Sequence, residues 1–202
     1  MKHEAWGRWA EDLGVEIDPT QAANLEAYER LLIDRALPLG MIAPGDRSHL
    51  RERHLVDSVR AARALGAEPK TVADLGSGAG LPGVPLAIVR PDLRFVLAEV
   101  RRGRVAFLEL VVDSLGLGNV QVALGAIEKL APPLDVCLAR ALADPAGAWR
   151  LAEPLLAPDG VLLYWAGQGF EVTSGTPEGA HISVSLTSAL ADAGPVVIMT
   201  RK

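Results

Sequence analysis

The sequence predicts an α/β protein in which a doubly wound, mostly parallel sheet follows an N-terminal helical extension. Before residue 70 the apolar residues recur at helical spacing, whereas after it short β-rich segments alternate with helical patterns. A glycine-rich segment directly follows the first β-rich segment, where such sheets bind ligands. We therefore expect a helical extension over residues 1–69 and a sheet-containing domain over residues 70–202.

The composition is that of an ordinary globular domain. The chain has 202 residues, of which 50% are hydrophobic, so it can bury a substantial core. Neither the longest apolar runs nor residues 1–10 match a membrane span or a secretory signal, so we expect a cytoplasmic protein without membrane contact. A single cysteine and four scattered histidines complete no metal-ligand spacing, so no metal is expected.

The charge excludes one class of function. A net charge of -5 argues against a protein that coats nucleic acid by bulk electrostatics. Arginines nevertheless gather between residues 47 and 63 and again between residues 101 and 104. Because arginine binds phosphates and base edges well, a local nucleic-acid patch stays possible.

Two helices are expected in the extension. Asp18 and Gln21 form a capping box around Pro19, which predicts a helix start there. A second helix is predicted from about Ser48, after a turn-rich connector over residues 38–46. Three of its apolar side chains are expected to face inward: Leu50, Val56 (or Leu55) and Val59. Four charged side chains are expected to stay in solvent: Arg51, Arg53, Asp57 and Arg60.

The sheet-containing domain has seven candidate strands. They cover residues 71–75, 95–97, 120–124, 134–138, 161–165, 182–186 and 196–199. The last two are expected to lie antiparallel at the edge of the sheet. The clearest helix between strands is predicted over residues 105–117, ended by Gly116, and residues 167–180 are predicted to form a long loop.

The strongest chemical signal is the segment Asp74-Leu75-Gly76-Ser77-Gly78-Ala79-Gly80-Leu81-Pro82-Gly83. Its glycines allow a tight turn and let a nucleotide-like ligand approach the backbone. The glycine spacing also satisfies the dinucleotide-binding pattern, so the neighbouring residues have to distinguish a dinucleotide from another nucleotide-like ligand. Asp74 suits a ligand ammonium group and Glu99, after the second strand, suits ribose hydroxyls. S-adenosylmethionine (SAM) has both groups, whereas Asp74 would repel a pyrophosphate; a glycine turn without a ligand is the remaining alternative.

Other charged residues are ambiguous on position alone. Asp57 can pair with Arg53 or Arg60 on one helical face, which favours a salt-bridged surface in solvent. Arg140 follows the fourth strand, where either a ligand contact or an ordinary surface residue can stand. Glu128, soon after the third strand, is typical of a carboxylate at a helix start.

Several stretches together resemble a known family, the bacterial small-subunit rRNA guanine-N7 methyltransferases, also called the glucose-inhibited division B family. The resemblance lies in Gly40-Met41-Ile42-Ala43-Pro44, Glu52-Arg53-His54-Leu55-Val56-Asp57-Ser58, the glycine segment with its continuation Val84-Pro85-Leu86, Phe107-Leu108, Leu115-Gly116-Leu117 and Ala139-Arg140-Ala141. It runs from about residue 20 to residue 165.

The resemblance implies a class I SAM-dependent methyltransferase fold, with Rossmann-like topology, that transfers methyl groups to N7 of a guanine in 16S rRNA. It implies that the protein binds SAM and either 16S rRNA or the small ribosomal subunit. We further expect a monomer. The implied cofactor-binding residues are Gly76, Ser77, Gly78, Gly80, Leu81, Glu99, Ile127, Glu128 and Arg140. The implied substrate-binding residues are Arg53, His54 and Arg104, and no catalytic base is assigned.

The chain departs from this family at three positions. Gly103, Ala126 and Ala166 stand where the family usually has a lysine or an arginine. Fewer cations are expected to weaken RNA binding while leaving SAM binding intact. Two alternatives therefore stay open: a methyltransferase with a non-rRNA acceptor, and a SAM- or RNA-binding relative without enzymatic activity.

Overall fold

The structure is a computed structural model that describes residues 3–67, 70–171, 177–186, 190 and 193–202. Within these residues, strands form one sheet: β1 (Thr71–Leu75), β2 (Arg94–Glu99), β3 (Val120–Leu124), β4 (Leu134–Arg140), β5 (Leu156–Trp165), β6 (Ala180–Leu186) and β7 (Val196–Arg201). Their order across the sheet is β3-β2-β1-β4-β5-β7-β6. Strands β1 to β5 are parallel, and β7 pairs antiparallel with both β5 and β6. The predicted doubly wound sheet with an antiparallel edge is confirmed.

Helices cover both faces of the sheet. The α-helices are α1 (His3–Leu13), α2 (Pro19–Leu31), α3 (Asp57–Val59), α4 (Gly83–Val89), α5 (Arg102–Leu115) and α6 (Pro145–Ala152). Short 3-10 segments cover Pro44–His49, Ala62–Leu65, Ile127–Lys129 and Glu153–Leu155, and π-helical turns cover Leu32–Ala36 and Arg51–Val56. In the part of the chain described, no helix is long and apolar enough to cross a membrane.

The start of α2 follows from its first residues. The Asp18 carboxylate accepts hydrogen bonds from the backbone N–H groups of Thr20 and Gln21, at 2.7 and 2.8 Å. The Gln21 side chain accepts one in return from the Asp18 N–H at 2.8 Å. This reciprocal bonding satisfies N–H groups that have no partner within the helix. The predicted capping box is confirmed.

The second helix of the extension is less regular than its sequence pattern indicates. The chain turns into 3-10 geometry at Pro44, before the predicted start at Ser48, and continues as the wide turns of Arg51–Val56. The Asp57 N–H reaches the carbonyl oxygen of Glu52, five residues back, which is the spacing of a π-helical turn. These wider turns determine which side chains of the segment face the sheet.

Two buried clusters lie on opposite faces of the sheet. The larger joins the extension to α4, α5 and the sheet, and it contains Leu25 and Tyr28 together with Val72. The smaller lies under α6 and contains Trp149 together with Ala73. Because successive strand residues point to opposite faces, adjacent residues of β1 serve different clusters. The extension therefore shares one continuous core with the sheet.

Some element boundaries differ from the prediction. Helix α5 begins at Arg102 and ends at Leu115, because Gly116 adopts a left-handed conformation with φ of 62°. Strand β5 begins at Leu156 rather than at residue 161, and the irregular pairing near Leu134 accommodates the additional residues. Ala180 already belongs to β6, so the predicted loop ends one residue earlier. Residues 172–176 of that loop lie outside the described part of the chain.

Candidate functional site

The glycine segment lies at the point where the order of the strands reverses. β1 has β2 on one side and β4 on the other, and residues 76–82 lead from β1 into α4. The carboxyl ends of parallel strands share one edge, and a crevice forms where neighbouring connections diverge. This edge therefore brings the segments after β1, β2, β3 and β4 together.

The loop glycines serve two different purposes. A Cβ atom on Gly83 would lie 2.5 Å from Leu97 Cδ2, so this glycine permits close packing of α4 on the sheet. A Cβ atom on Gly78 would have Arg104 Nη1, at 3.8 Å, as its nearest neighbour. The outer face of the loop at Gly78 is therefore less crowded than Gly83, and the side chain nearest to it is that of Arg104.

Other loop residues predicted to bind the cofactor are partly covered. A Cβ atom on Gly76 would lie 2.7 Å from Leu142 Cδ1, and one on Gly80 would lie 2.6 Å from Val84 Cγ2. Ser77 is buried, and its hydroxyl donates to the carbonyl oxygen of Asp74 at 2.9 Å. Leu81 is half-buried against the larger core cluster. These residues shape the loop from beneath, whereas Gly78 forms its accessible surface.

Asp74 lies beneath the glycine loop. Only 1% of the residue is exposed, and its Oδ2 accepts a hydrogen bond from the Gly83 N–H at 3.0 Å. Burial raises the pKa of this carboxyl to about 7, although the Gly83 N–H opposes the shift. The expected contact between Asp74 and a ligand ammonium group is therefore not supported, because the carboxylate points at the start of α4.

Tyr28 supports the same loop and was not predicted. Its buried hydroxyl donates to the carbonyl oxygen of Ala79 at 2.6 Å. Burial, followed by the charge of Asp74, raises its pKa well above the usual value. The apolar spacing of α2 identifies Tyr28 only as a core residue. The signal for its second role is its hydroxyl, because a buried tyrosine hydroxyl needs a hydrogen-bond partner. One residue of the extension thus holds the glycine loop directly.

Glu99 stands at the end of β2, facing the loop. Its Oε2 accepts from the Gly78 N–H at 3.0 Å, and its Oε1 accepts from the N–H groups of Val100 and Arg101 at 2.8 and 2.9 Å. Arg104 Nη1 lies 3.5 Å from Oε2. The structure therefore brings together three of the predicted residues: Gly78, Glu99 and Arg104.

The segment after β3 joins the same edge. The Gly125 N–H donates to the carbonyl oxygen of Glu99 at 3.1 Å, which fixes the start of the 3-10 turn. Ile127 is half-buried and, like Leu142, packs against the smaller cluster. Glu128 is exposed on the same turn. An apolar side chain and an adjacent exposed carboxylate thus follow β3 at the edge of the sheet where Glu99 ends β2.

Arg140, at the end of β4, reaches into the extension. Its Nη2 donates to the carbonyl oxygen of Arg53 at 2.7 Å, lies 3.1 Å from His54 Nδ1 and forms an ion pair with Asp57 Oδ2 at 3.3 Å. These partners are more than eighty residues away in the chain. Arg140 therefore ties the end of the sheet to the wide turns of Arg51–Val56.

His54 lies between Arg140 and Asp46. Because a guanidinium can only donate, His54 Nδ1 is the acceptor, and the ring proton is on Nε2, which lies 3.1 Å from Asp46 Oδ2. Burial, and then the charge of Arg140, lower the pKa of this imidazole, against the opposing effect of Asp46. His54 is therefore held as a neutral ring with both nitrogens engaged.

Asp57 and Arg60 correct the expectation of a surface in solvent. They are 5% and 4% exposed, and Arg60 Nη2 lies 2.8 Å from Asp57 Oδ1. Arg60 also donates to the carbonyl oxygen of Gly194 at 2.7 Å, and Trp165 Nε1 donates to the Asp57 carbonyl at 3.1 Å. The predicted Asp57–Arg60 pair forms, but it is buried, because the extension packs against the strand ends. Arg53 pairs instead with Asp46 at 3.4 Å.

A cleft of about 770 Å³ lies between the extension and the carboxyl ends of β4 and β5. Its walls mix both signs of charge with apolar surface and include Glu52, Arg53, His54, Arg140 and Trp165. Among the residues described, no group of three or more His, Cys, Asp or Glu side chains could hold a metal ion. The cleft is large enough for a nucleoside-sized group, and Arg140 in its wall ends β4, the strand that pairs with β1.

The fold is that of the class I SAM-dependent methyltransferases. A SAM-dependent methyltransferase from Aquifex aeolicus aligns with a TM-score of 0.56 and 19% identity over 74% of this chain and 92% of its own. A putative O-methyltransferase from Klebsiella pneumoniae aligns with a TM-score of 0.55 and 15% identity over 93% of this chain and 92% of its own. The strand order and the glycine segment after β1 agree with this class.

The chain belongs to the rRNA small subunit methyltransferase G family (GidB), whose model matches residues 21–174. A protein of Streptomyces avermitilis named ribosomal RNA small subunit methyltransferase G is 39% identical over 77% of this chain and 66% of its own length. The protein of that name from Moorella thermoacetica is 34% identical over 81% of this chain and 71% of its own. The chain thus spans about two thirds of the length of the Streptomyces relative.

Proposed function

We propose that this chain transfers a methyl group from SAM to N7 of a guanine in 16S ribosomal RNA. The observation that carries the proposal is the contact between Gly78 and Glu99, which sets the glycine loop against a carboxylate at the end of the second strand. Membership of the rRNA small subunit methyltransferase G family supports the same reaction.

The residues at this edge of the sheet fit SAM. The less crowded face of the loop at Gly78 suits a cofactor lying against the loop backbone, and the Glu99 carboxylate suits the ribose hydroxyls. Ile127 offers an apolar surface and Glu128 an exposed carboxylate on the adenine side. When bound, SAM supplies a methyl group activated by its positively charged sulfur.

The acceptor base would enter the cleft between the extension and β4. Arg53, His54 and Arg140 line it, and residues 1–69 act as a helical extension that forms one of its walls. A guanine would have to be turned out of its stack to reach this depth, which costs least in a loop of the RNA. Exposed arginines on the rim would hold phosphates rather than read bases.

The protein would contribute position and electrostatics to the reaction. Guanine N7 carries a lone pair and no proton, so its methylation needs no general base. His54 has both ring nitrogens engaged and therefore serves to position Arg140. Methylation leaves positive charge on the base, so the placement of charges in the cleft wall would act on the reaction as well as on binding.

Methyl transfer to defined RNA tests the proposal. Purified protein is incubated with labelled SAM and with small ribosomal subunits, or their extracted RNA, from cells that lack the native guanine-N7 modification. Labelled 7-methylguanosine is expected. Glu99→Gln is expected to lower the rate at least tenfold, whereas Glu109→Gln, an exposed carboxylate change on α5, serves as the matched control.

Each result discriminates between the alternatives. Transfer to another acceptor but not to rRNA would favour a different methyltransferase, and SAM binding without transfer would favour a binding protein. We also propose that the protein acts as a monomer in the cytoplasm, where the small ribosomal subunit is assembled. Light scattering of the purified chain, with and without RNA, tests the monomer.

A further inference from the structure

The Glu99 carboxylate has little remaining capacity to accept hydrogen bonds. Three backbone N–H groups and the Arg104 guanidinium surround its two oxygens, and a carboxylate offers about four lone-pair positions. The backbone donors are fixed by the glycine loop and by the start of α5. Arg104 is the most distant partner, at 3.5 Å, and its side chain is 29% exposed. A new donor at Glu99 can therefore displace only Arg104.

We infer that Arg104 and the ribose hydroxyls of the cofactor compete for Glu99 Oε2, so that cofactor binding releases the Arg104 guanidinium. The inference rests on the proposed function, because it assumes that the cofactor contacts Glu99. Arg104 Nη1 also lies 3.8 Å from the Cβ position of Gly78, over the outer face of the loop. The guanidinium thus stands where the cofactor would approach both Gly78 and Glu99.

The released side chain would join a cluster of exposed cations. Arg101 and Arg102, at the start of α5, are exposed, and nothing lies within 4 Å of the Cβ position of Gly103 between Arg102 and Arg104. A guanidinium that leaves Glu99 adds one uncompensated positive charge to this surface. RNA phosphates bind such charges, so cofactor and RNA bind with positive coupling. Arg104 therefore acts on RNA affinity through its contact with Glu99.

Titration with S-adenosylhomocysteine tests the competition without relying on turnover. The Arg104→Ala variant is expected to bind S-adenosylhomocysteine about two- to fivefold more tightly than the wild type does. This factor corresponds to the free energy of a partly exposed ion pair. Arg102→Ala removes the same charge from the neighbouring position and is expected to leave the affinity unchanged. Weaker binding by Arg104→Ala would overturn the inference, since it would show that Arg104 holds the cofactor, and so would an unchanged affinity.

RNA binding tests the coupling. Extracted small-subunit rRNA is titrated with and without saturating S-adenosylhomocysteine over a series of salt concentrations. In the wild type, S-adenosylhomocysteine is expected to tighten RNA binding. It is also expected to steepen the slope of log affinity against log salt concentration by the amount that about one phosphate contact contributes. In Arg104→Ala both effects are expected to vanish, while their persistence would overturn the inference. A wild type that binds no S-adenosylhomocysteine would instead contradict the proposed function itself.

Discussion

The hydroxyl of Tyr28, in the helical extension, donates a hydrogen bond to the carbonyl oxygen of Ala79 in the glycine loop, at 2.6 Å. The two residues are 51 positions apart, and both are buried. The same hydroxyl lies 3.0 Å from the Cβ position of Gly80. The extension therefore helps to define the conformation of the loop as well as covering the sheet.

Tyr28→Phe tests this link. The change leaves the Ala79 carbonyl buried without its partner, which should lower the free energy of unfolding by about 1–3 kcal/mol. A less well-defined loop should also weaken S-adenosylhomocysteine binding severalfold. Denaturant unfolding and calorimetric titration measure the two effects separately. Lower stability with unchanged affinity would show that the bond serves folding alone.

Asp74 should give the stability a distinctive pH dependence. Burial raises its folded-state pKa to about 7, so the neutral form is favoured in the folded protein. The resulting stabilisation is complete below the unfolded pKa of about 4 and is lost as the pH rises through about 7. Asp74→Asn keeps an acceptor for the Gly83 N–H and cannot ionise. The free energy of unfolding of Asp74→Asn should therefore rise by about 3 kcal/mol relative to that of the wild type as the pH increases from 5 to 8.

Urea unfolding of both proteins across that pH range measures the gain. Because the two proteins share every other titrating group, the difference between their curves isolates Asp74. A difference that stays constant from pH 5 to pH 8 would contradict the raised pKa.

His54 should respond to loss of the Arg140 charge. Burial and Arg140 both lower its pKa, so Arg140→Gln is expected to raise it. NMR titration of the imidazole measures the change. Arg47→Gln removes an exposed charge from the same segment and should leave the titration as it is in the wild type. Equal pKa values in Arg140→Gln and wild type would refute the role of the guanidinium.

The lowered pKa of His54 also has a stability consequence. The unfolded chain binds a proton on this ring more readily than the folded protein does. The contribution of neutral His54 to stability is therefore present above the unfolded pKa of about 6.5 and is lost as the pH falls below it. The free energy of unfolding should therefore fall less between pH 7.5 and pH 5 in Arg140→Gln than in the wild type. Urea unfolding of both proteins at the two pH values measures the difference.

Gly103→Lys should strengthen RNA binding. The position is exposed at the start of α5, has open space for a side chain and lies between Arg102 and Arg104. An added phosphate contact should steepen the salt dependence of RNA binding by about 0.7–0.9 in the log-log slope. Gly118→Lys makes the same change beyond the other end of α5, also in open space. Equal slopes for the two variants would exclude a local RNA-binding surface at residues 101–104.

Several features were predictable because their signals are local. The Asp18 capping box, the glycine turn after β1 and the order of strands and helices each depend on residues within about ten positions of one another. Backbone sterics and the period of the apolar pattern determine such elements before any tertiary contact forms. The position of Glu99 at the end of β2 belongs to the same group, since strand length and direction suffice to place it opposite the glycine loop.

The partners of the charged side chains depended on packing. A helical pattern places Asp57 and Arg60 on one face, but only the extension docked on the strand ends buries them. Local spacing likewise suggested a pair between Arg53 and Asp57, whereas Asp57 meets Arg140 from the far end of β4.

The sequence by itself thus determined the fold class and the glycine loop with its facing carboxylate. The tertiary structure alone decided three contacts: the hydrogen bond of Arg140 to His54, that of Tyr28 to the glycine loop, and the ion pair of Arg104 with Glu99. The physical reason is that turn and strand geometry follow from neighbouring residues. A long polar side chain instead takes whichever partner the folded core brings within reach.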